Sequence, residues 1–234
     1  MSLKKKVWIF GYSKESKMIA SSLKDVNFDI NIVESNDKNS NDALLDGFKT
    51  MVLMDITNDD ELEPLGIEPN DYIICVMDDE HLNVFLTLSL RSMCPENEII
   101  SISHSIYTTQ KLKMAGASKV IDLYQVSANR IHSIFKKPIA TKILDSFISS
   151  SYDISFGEFT IAKGSCLDGI ILENFDFSQY NIILVGVLDW ELGDEFIFST
   201  TNISHKLDAD DIIVCIGNNN DLEKFEKKLK MSSK

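Results

Sequence analysis

Basic charge, paired cysteine motifs and long apolar runs are what this chain of 234 residues lacks. Its formal net charge is −13, which argues against nonspecific nucleic-acid binding, because that function needs a basic face. Its four cysteines show no C-x-x-C spacing, and we interpret all four as reduced and structural, as in a cytoplasmic chain. The longest apolar runs, such as Ile182 to Leu188, are far shorter than the roughly 20 residues that cross a bilayer.

The N-terminus also lacks the features of a signal peptide. Only four apolar residues follow the run Lys4 to Lys6 before Gly11 interrupts them. A signal peptide needs an apolar region of at least about seven residues. Composition therefore predicts an ordinary soluble globular protein, with 44% hydrophobic and 25% charged residues.

Glycine is scarce at the one place where a nucleotide-binding motif needs it. The stretch Lys6 to Glu34 has the order strand, glycine turn, helix, strand and acid, which is typical of a nucleotide-binding βαβ unit. Glu34 lies 23 positions past Gly11, close to the roughly 20 expected for the acid that binds the ribose. The motif G-x-G-x-x-G requires three glycines, but Ser13 and Ser16 occupy the second and third positions. The order of elements predicts a βαβ unit, and the two missing glycines predict that this unit binds a nucleotide more weakly than the full motif does.

Short apolar runs alternate with helical patterns through the first half of the chain. Six runs predict strands: Val7–Phe10, Phe28–Val33, Met51–Met54, Tyr72–Val76, Glu98–Ser103 and Lys119–Asp122. Alternating strands and helices with short connections predict an α/β fold with a doubly wound parallel, Rossmann-like sheet.

The alternation stops at a long helical stretch from Val126 to Ser151. Pro138 lies inside this stretch and is expected to kink or split the helix. Its apolar residues, including Ile131, Phe135 and Ile139, exceed what one helix leaving a finished sheet needs. Two interpretations stay open. The stretch is either a linker helix that lies across its own domain or a crossover helix that packs against a second copy of the protein.

Strand patterns predominate again after the helical stretch. The predicted strands are Glu158–Ala162, Ile182–Leu188, Glu195–Phe198 and Asp211–Ile216, followed by a helix at Asp221–Leu229. We therefore expect a small α+β C-terminal domain. The predicted boundaries are residues 1–124 for the Rossmann-like domain, 125–152 for the crossover helix and 153–234 for the C-terminal domain.

Several short motifs follow one another in a fixed order. They are Gly11-Tyr12-x-Lys14, Asp55-x-Thr57, Leu65-Gly66-Ile67, Ala115-Gly116-Ala117, Gly164-Ser165-x-Leu167-x-Gly169 and Leu207-x-x-x-Asp211. Together with the helical crossover between two domains, they resemble the RCK or KTN family (TrkA-N followed by TrkA-C). This family regulates potassium conductance in prokaryotic channels and in Trk/Ktr-type uptake systems. The resemblance covers the chain from Lys6 to Leu229.

The resemblance implies a cytoplasmic regulatory domain or subunit at the inner face of the cell membrane. Such domains form homodimers that assemble into a ring, often of eight, beneath the pore of a potassium channel or transporter. The chain carries one copy of the unit, so a stand-alone subunit and the cytosolic part of a longer channel both stay open. The run Lys4 to Lys6 is either the attachment to a pore linker or an ordinary solvated terminus.

The resemblance and the βαβ pattern together define a candidate ligand crevice. Its predicted residues are Gly11, Tyr12, Ser13, Lys14, Ser16, Glu34, Asp55 and Ile56. Gly11 makes the turn, and the helix N-terminus is expected to offer unpaired N–H groups to a phosphate. Lys14 is the candidate phosphate contact, while the hydroxymethyl group of Ser13 reduces the room for phosphate oxygens.

The second half of the predicted crevice holds the ribose and the base. Glu34 is expected to bind the ribose hydroxyls and to disfavour a 2′-phosphate, and the backbone of Asp55 and Ile56 to flank the base. The predicted ligand is an adenine nucleotide (ATP, ADP or AMP) or NAD(H), bound more weakly than in a site with three glycines. The alternative is a scaffold that has lost its ligand and serves only as a structural ring module.

An enzyme is the rival class, and the sequence predicts neither catalytic residues nor a metal site. An NAD-dependent oxidoreductase would need an acid–base pair, and the second domain offers none. The acidic run Asp78 to Glu80 is interpreted as helix N-terminal charge, and Asp208 to Asp211 as a hairpin turn. The histidines His104, His132 and His205 have no metal-ligand spacing.

Overall fold

A computed structural model describes residues 5–24, 28–53, 55–148, 153–191, 193, 196–199 and 205–231. The chain divides into two compact units, Met1–His132 and Ser133–Lys234. The domain boundaries that we predict at 124 and 152 stay a prediction. None of the helices in the described ranges is both long enough and apolar enough to cross a membrane.

The first unit alternates strands and helices, as its sequence pattern predicts. Its elements are β1 (Lys6–Phe10), α1 (Lys14–Lys24), β2 (Asp29–Glu34), α2 (Asp37–Leu45), β3 (Lys49–Val52), α3 (Asp59–Leu62), β4 (Tyr72–Cys75), α4 (Glu80–Met93), β5 (Glu98–Ser103), α5 (Ile106–Met114) and β6 (Lys119–Asp122). The predicted third strand is displaced, because β3 begins at Lys49, and Met54 lies outside the described residues.

The six strands form one parallel sheet in the order β3-β2-β1-β4-β5-β6. This is the predicted doubly wound, Rossmann-like sheet. The order reverses between β1 and β4, which lie side by side, with Phe10 paired to Val33 on one side and to Cys75 on the other. Ligands of such sheets bind at the carboxyl ends of the strands at this reversal. The fold therefore places the turn after β1 at the expected crevice.

Strand β1 is apolar from Val7 to Phe10 because both of its faces are covered there. Val7 and Ile9 belong to one buried cluster, and Trp8 and Phe10 belong to another. Successive side chains of a strand point to opposite faces, so a four-residue apolar run supplies both clusters. Tyr12 continues the first cluster beyond the end of the strand.

Two consecutive helices follow β6. Helix α6 spans Leu123–Lys136 and α7 spans Pro138–Ile148, so the predicted split at Pro138 is confirmed. Proline is favoured at the first position of a helix, where its missing N–H is not needed. Residues 149–151 of the predicted helical stretch lie outside the described residues. The exposed apolar side chains of α6 and α7 are Tyr124, Val126, Ile131, Ile134, Phe135, Ile139, Ile143 and Leu144.

The second unit contains a small antiparallel sheet and a closing helix. Its strands are β7 (Ile154–Thr160), β8 (Ile182–Leu188), β9 (Phe196–Phe198) and β10 (Ile212–Asn218), and its last helix is α8 (Asn219–Met231). The sheet order is β7-β10-β8-β9. This agrees with the predicted α+β architecture, but the prediction that its first strand begins at Glu158 is wrong. Strand β7 begins four residues earlier, and Glu195 of the predicted third strand lies outside the described residues.

One face of this second sheet packs against α8 around Phe225. The Phe225 ring is fully buried, with ring centroids 5.2 Å from Tyr180 and 5.3 Å from Phe159. Strand β7 lies at an edge of the sheet and, within the described residues, pairs only with β10. The second unit therefore has a core of its own and an open strand edge.

Candidate functional site

The turn after β1 requires glycine at position 11. Gly11 has a φ of +97°, and a Cβ on it would lie 2.7 Å from the carbonyl oxygen of Val76. Its N–H donates to the carbonyl of Val33 at 2.9 Å. The turn thus lies tightly between the ends of β2 and β4, and the structure places Gly11 where the motif predicts its first glycine.

Ser13 and Ser16 cap the N-terminus of α1 reciprocally. The Ser13 hydroxyl accepts the N–H groups of Glu15 at 3.2 Å and of Ser16 at 3.5 Å. The Ser13 N–H donates to Oγ of Ser16 at 2.5 Å. Side-chain caps of this kind occupy N–H groups that a helix otherwise offers to an anion. The expectation that these N–H groups are unpaired is therefore wrong for Ser13, Glu15 and Ser16.

The charges of the first turn of α1 are mixed. Glu15 accepts the hydroxyl of Ser13 at 2.7 Å, and this bond holds the pKa of the Glu15 carboxyl below its ordinary value. Lys14 is exposed and forms no ion pair within 4.0 Å among the residues that the structure describes. Lys17 is engaged, because its Nζ lies 2.6 Å from Oδ1 of Asp46. Lys14 is thus the cation of this turn that remains available to a ligand.

Glu34 is buried at the carboxyl end of β2, with an exposed fraction of 3%. Its carboxylate accepts the N–H groups of Tyr12 and Asn36, each at 2.9 Å, and Nδ2 of Asn39 at 3.3 Å. A carboxylate offers about four acceptor positions, so about one has no protein donor. Glu34 joins the turn after β1 to the loop after β2, a structural role that spacing alone does not reveal.

The Tyr12 side chain is anchored at the C-terminal end of α2. Its hydroxyl donates to Oδ2 of Asp46 at 2.6 Å, and its ring packs 6.1 Å from that of Phe48. Burial, and next the bond to Asp46, raise the pKa of the Tyr12 hydroxyl well above its ordinary value. The backbone N–H of Tyr12 donates to the Glu34 carboxylate, so Tyr12 is held at both its backbone and its side chain. Sequence reasoning missed Asp46, which lies 34 residues away and belongs to no motif.

Asp55 and Ile56 follow β3, and the side chain of each has a structural role. Asp55 accepts the Thr57 hydroxyl at 2.6 Å and its N–H at 2.9 Å, and these bonds hold the pKa of the Asp55 carboxyl below its ordinary value. Ile56 is 2% exposed and lies in the cluster that contains Phe10 and Val33. The prediction that the backbone of Asp55 and Ile56 flanks a base stays a prediction.

A cavity of about 470 Å³ opens beside the N-terminus of α1. Its lining residues are Tyr12, Ser13, Lys14, Lys17, Asn39, Asp42, Leu45, Asp46 and Asp78. Three of the eight predicted site residues line it, and Gly11, Ser16, Glu34, Asp55 and Ile56 do not. Its wall carries three carboxylates and two ammonium groups, so its charge is slightly negative.

Glu80 joins the N-termini of α4 and α5 on the other side of the crevice. Its carboxylate accepts the hydroxyl of Thr108 at 2.5 Å, the N–H of His104 at 2.9 Å and the hydroxyl of Ser105 at 3.3 Å. The Thr108 bond lowers the pKa of Glu80 most. The sequence interpretation of Asp78 to Glu80 as helix N-terminal charge is confirmed at Asp79, which caps α4. The sequence interpretation did not predict that Glu80 also connects α4 to the N-terminus of α5 through hydrogen bonds.

The acidic turn of the second unit has a structural explanation as well. Asp210 has a φ of +76°, and Asp211 is buried and accepts the N–H groups of Asp208 and Trp190 at 2.9 and 3.1 Å. This confirms the interpretation of these aspartates as a turn. Among the residues described here, no group of three or more His, Cys, Asp or Glu side chains is arranged to hold a metal ion.

Known proteins resemble the chain in both sequence and fold. "Potassium channel protein 1" of Methanocaldococcus jannaschii is 28% identical over 220 residues, which cover 94% of this chain and 65% of that protein. "Probable potassium channel protein 2" of the same organism is 25% identical over 172 residues, or 70% of this chain and 50% of that protein. The chain thus spans one half to about two thirds of the length of these relatives.

The human SLO3 gating ring has the same fold, with a TM-score of 0.67 at 12% identity over 94% of this chain and 46% of that one. The model of the TrkA-N domain matches residues 7–123, which is half of the sequence and nearly all of the first unit. The chain belongs to the TrkA-N domain family.

Proposed function

We propose that the chain is the regulatory, gating part of a potassium channel or potassium uptake system. The observation that carries this proposal is the similarity to a potassium channel protein along 94% of the chain, which extends through both units. A gating ring that shares the fold supports it. In this proposal residues 153–234 act as the TrkA-C-like domain, and the protein works in the cytoplasm at the inner face of the cell membrane.

The proposed regulation follows from the crevice at the switch point of the first sheet. An adenine nucleotide or NAD(H) held there would be oriented by the Gly11 turn, by Lys14 and by the last acceptor position of Glu34. A ligand changes a gating equilibrium only if it binds one conformation of the ring more tightly than the other. The regulatory signal is therefore the difference in affinity between the two conformations.

The proposed assembly is a homodimer that builds a larger ring, often of eight chains, below the pore. Its support is the apolar surface of α6 and α7, where Phe135 is 83% exposed and Ile139 is 76% exposed. Exposed apolar side chains concentrated on two consecutive helices favour an interaction site there. Of the two interpretations of the helical stretch, we therefore favour the crossover that packs against a second copy.

The competing proposals draw on different observations. A structural ring module without a ligand is favoured by the capped N-terminus of α1, which offers few donors to a phosphate. An NAD-dependent oxidoreductase draws no support from the relatives, which are named as channel proteins. We accordingly propose a regulator and not an enzyme.

The direct test is potassium transport with and without the chain. Membrane vesicles are prepared from a deletion strain of the source organism that lacks the chain, and their rubidium uptake should change severalfold when purified chain is added. In a second assay, immobilised chain should retain a potassium transport protein from the same membranes. A Phe135→Glu variant serves as the matched control that folds but does not assemble. Unchanged uptake together with no retained transport protein would contradict the proposed function.

A further inference from the structure

The geometry at α1 points to Ser13 as the residue that decides how many phosphates the crevice accepts. We infer that it admits a nucleoside carrying at most one phosphate and rejects the pyrophosphate of ADP or NAD(H). This inference rests on the proposed nucleotide site, and it narrows the class of ligand for that site.

The first argument is the number of free N–H groups. The first four N–H groups at a helix N-terminus have no partner within the helix. Here the Ser13 N–H bonds Ser16, and the N–H groups of Glu15 and Ser16 bond Ser13. In the first turn of α1, which the structure describes in full, only the backbone N–H of Lys14 has no hydrogen-bond partner. A pyrophosphate needs several such donors, whereas one phosphate can use a single N–H together with an ammonium group.

The second argument is the local charge. Among the described residues of the cavity wall, Lys14 is the cation without an ion-pair partner, because Lys17 forms an ion pair with Asp46. Glu15, whose carboxylate bonds the Ser13 hydroxyl, stands in the same turn and repels further negative charge. One available cation balances one phosphate, and a second phosphate would meet the Glu15 carboxylate or the cavity wall at Asp42, Asp46 and Asp78.

The third argument is steric and concerns the missing second glycine. In the full motif that glycine lets the backbone approach the pyrophosphate. Ser13 instead places its hydroxyl over the N–H groups of α1, where it is held by Glu15 and Ser16. The cap and the phosphate thus compete for the same donors, and removing the hydroxyl should restore them to the ligand.

The test compares adenosine, AMP, ADP and NADH by isothermal calorimetry on the full chain and on three variants. The wild type should bind AMP at least tenfold more tightly than ADP and NADH. Ser13→Gly should narrow that ratio to below threefold by strengthening ADP and NADH. Glycine is nearly as good an N-cap as serine, so this variant is expected to fold. Glu15→Gln should narrow the ratio independently.

Ser22→Gly is the matched control, because Ser22 is an exposed serine of the same helix, away from its N-terminus. It should keep the wild-type ratio. Wild-type affinities for ADP or NADH that equal that for AMP would overturn the inference while leaving the proposed nucleotide site intact. No binding by the wild type but binding of ADP by Ser13→Gly would overturn the inference that the native crevice admits a nucleoside monophosphate, and would show only that the Ser13 side chain blocks the donors of α1. If neither the wild type nor any variant binds any of the four ligands, both the inference and the proposed nucleotide site are overturned.

Discussion

Gly11 and Gly66 share a left-handed backbone but differ in their surroundings. A Cβ on Gly11 would meet the Val76 carbonyl, whereas one on Gly66, at a φ of +67°, meets nothing within 4 Å. Gly66→Ala should therefore cost only the conformational penalty of about 1–2 kcal/mol. Gly11→Ala should cost roughly 2 kcal/mol more, because the turn must also move away from β4. Urea unfolding of both variants measures the difference, and equal costs would contradict the steric argument.

Glu34 illustrates how a predicted ligand residue can also be structural. Glu34→Gln keeps the shape but turns one acceptor into a donor that faces the N–H group of either Tyr12 or Asn36, because these two groups donate to different oxygens. The variant should lose about 1–3 kcal/mol of stability without any ligand present, because a buried donor is left unsatisfied. Asp37→Asn, on the next helix and exposed, is the control. Unfolding free energies that match the wild type would mean that Glu34 is free to serve a ligand.

Glu80 should make stability depend on pH in the acidic range. Its bond to Thr108, more than any other contact, holds its pKa below the ordinary value of 4.5, so its contribution is complete above that pH and is lost as the pH falls below it. Glu80→Gln should be about 1–2 kcal/mol less stable than the wild type at pH 7, and the difference should shrink below pH 4.5. Glu96→Gln, at an exposed position, provides the control. A difference that is constant from pH 7 to pH 3 would refute this role.

Residue-level prediction succeeded where one residue type has one physical use. A single glycine after an apolar run predicts a tight turn, and Gly11 makes it. Ser13 and Ser16 read as lost glycines, yet their positive role as a reciprocal cap shows only when their hydrogen bonds are seen. The Tyr12–Asp46 and Glu80–Thr108 bonds join residues 34 and 28 positions apart, and no local pattern predicts such pairs.

At the level of elements, α6 and α7 carry the prediction about assembly. Phe135→Glu should convert a dimer to a monomer in solution without loss of fold, because the Phe135 side chain is exposed in the single chain. Met18→Glu replaces an apolar side chain of α1 that is 73% exposed, against 83% for Phe135, and should leave the mass unchanged. Light scattering after size-exclusion chromatography measures the mass of both. A wild-type monomer at high concentration would end the proposal of a ring.

The elements of the first unit were more predictable than those of the second. Parallel strands covered on both faces are continuous apolar runs, which stand out in a sequence. Strand β7 instead alternates, with Gly157 at its centre, and its first half escaped prediction for that reason. The split at Pro138 was predictable because proline cannot continue a helix from within. The partner of the exposed helices was not, since the sequence of one chain does not show what covers it.

At the scale of the whole molecule, each unit has a separate core. Phe225→Ala should cost the second unit about 3–5 kcal/mol, because a buried ring is lost from a cluster of aromatic side chains. Hydrogen exchange should therefore accelerate in β8 and β10 and stay unchanged in β4 and β5. Phe198→Ala, at an exposed position of the same sheet, should have little effect. Faster exchange in both units would show that the chain unfolds as one body.

The open edge of β7 has a practical consequence for work on pieces of this protein. Its seven residues, Ile154 to Thr160, contain neither lysine nor proline, the residues that commonly protect an edge from pairing with another chain. In a concentrated sample, the β7 edges of two molecules can pair through backbone hydrogen bonds and so start aggregation. A fragment restricted to the second unit is therefore a poor choice for overexpression, and a lysine at Phe156 is the first substitution to try against inclusion bodies.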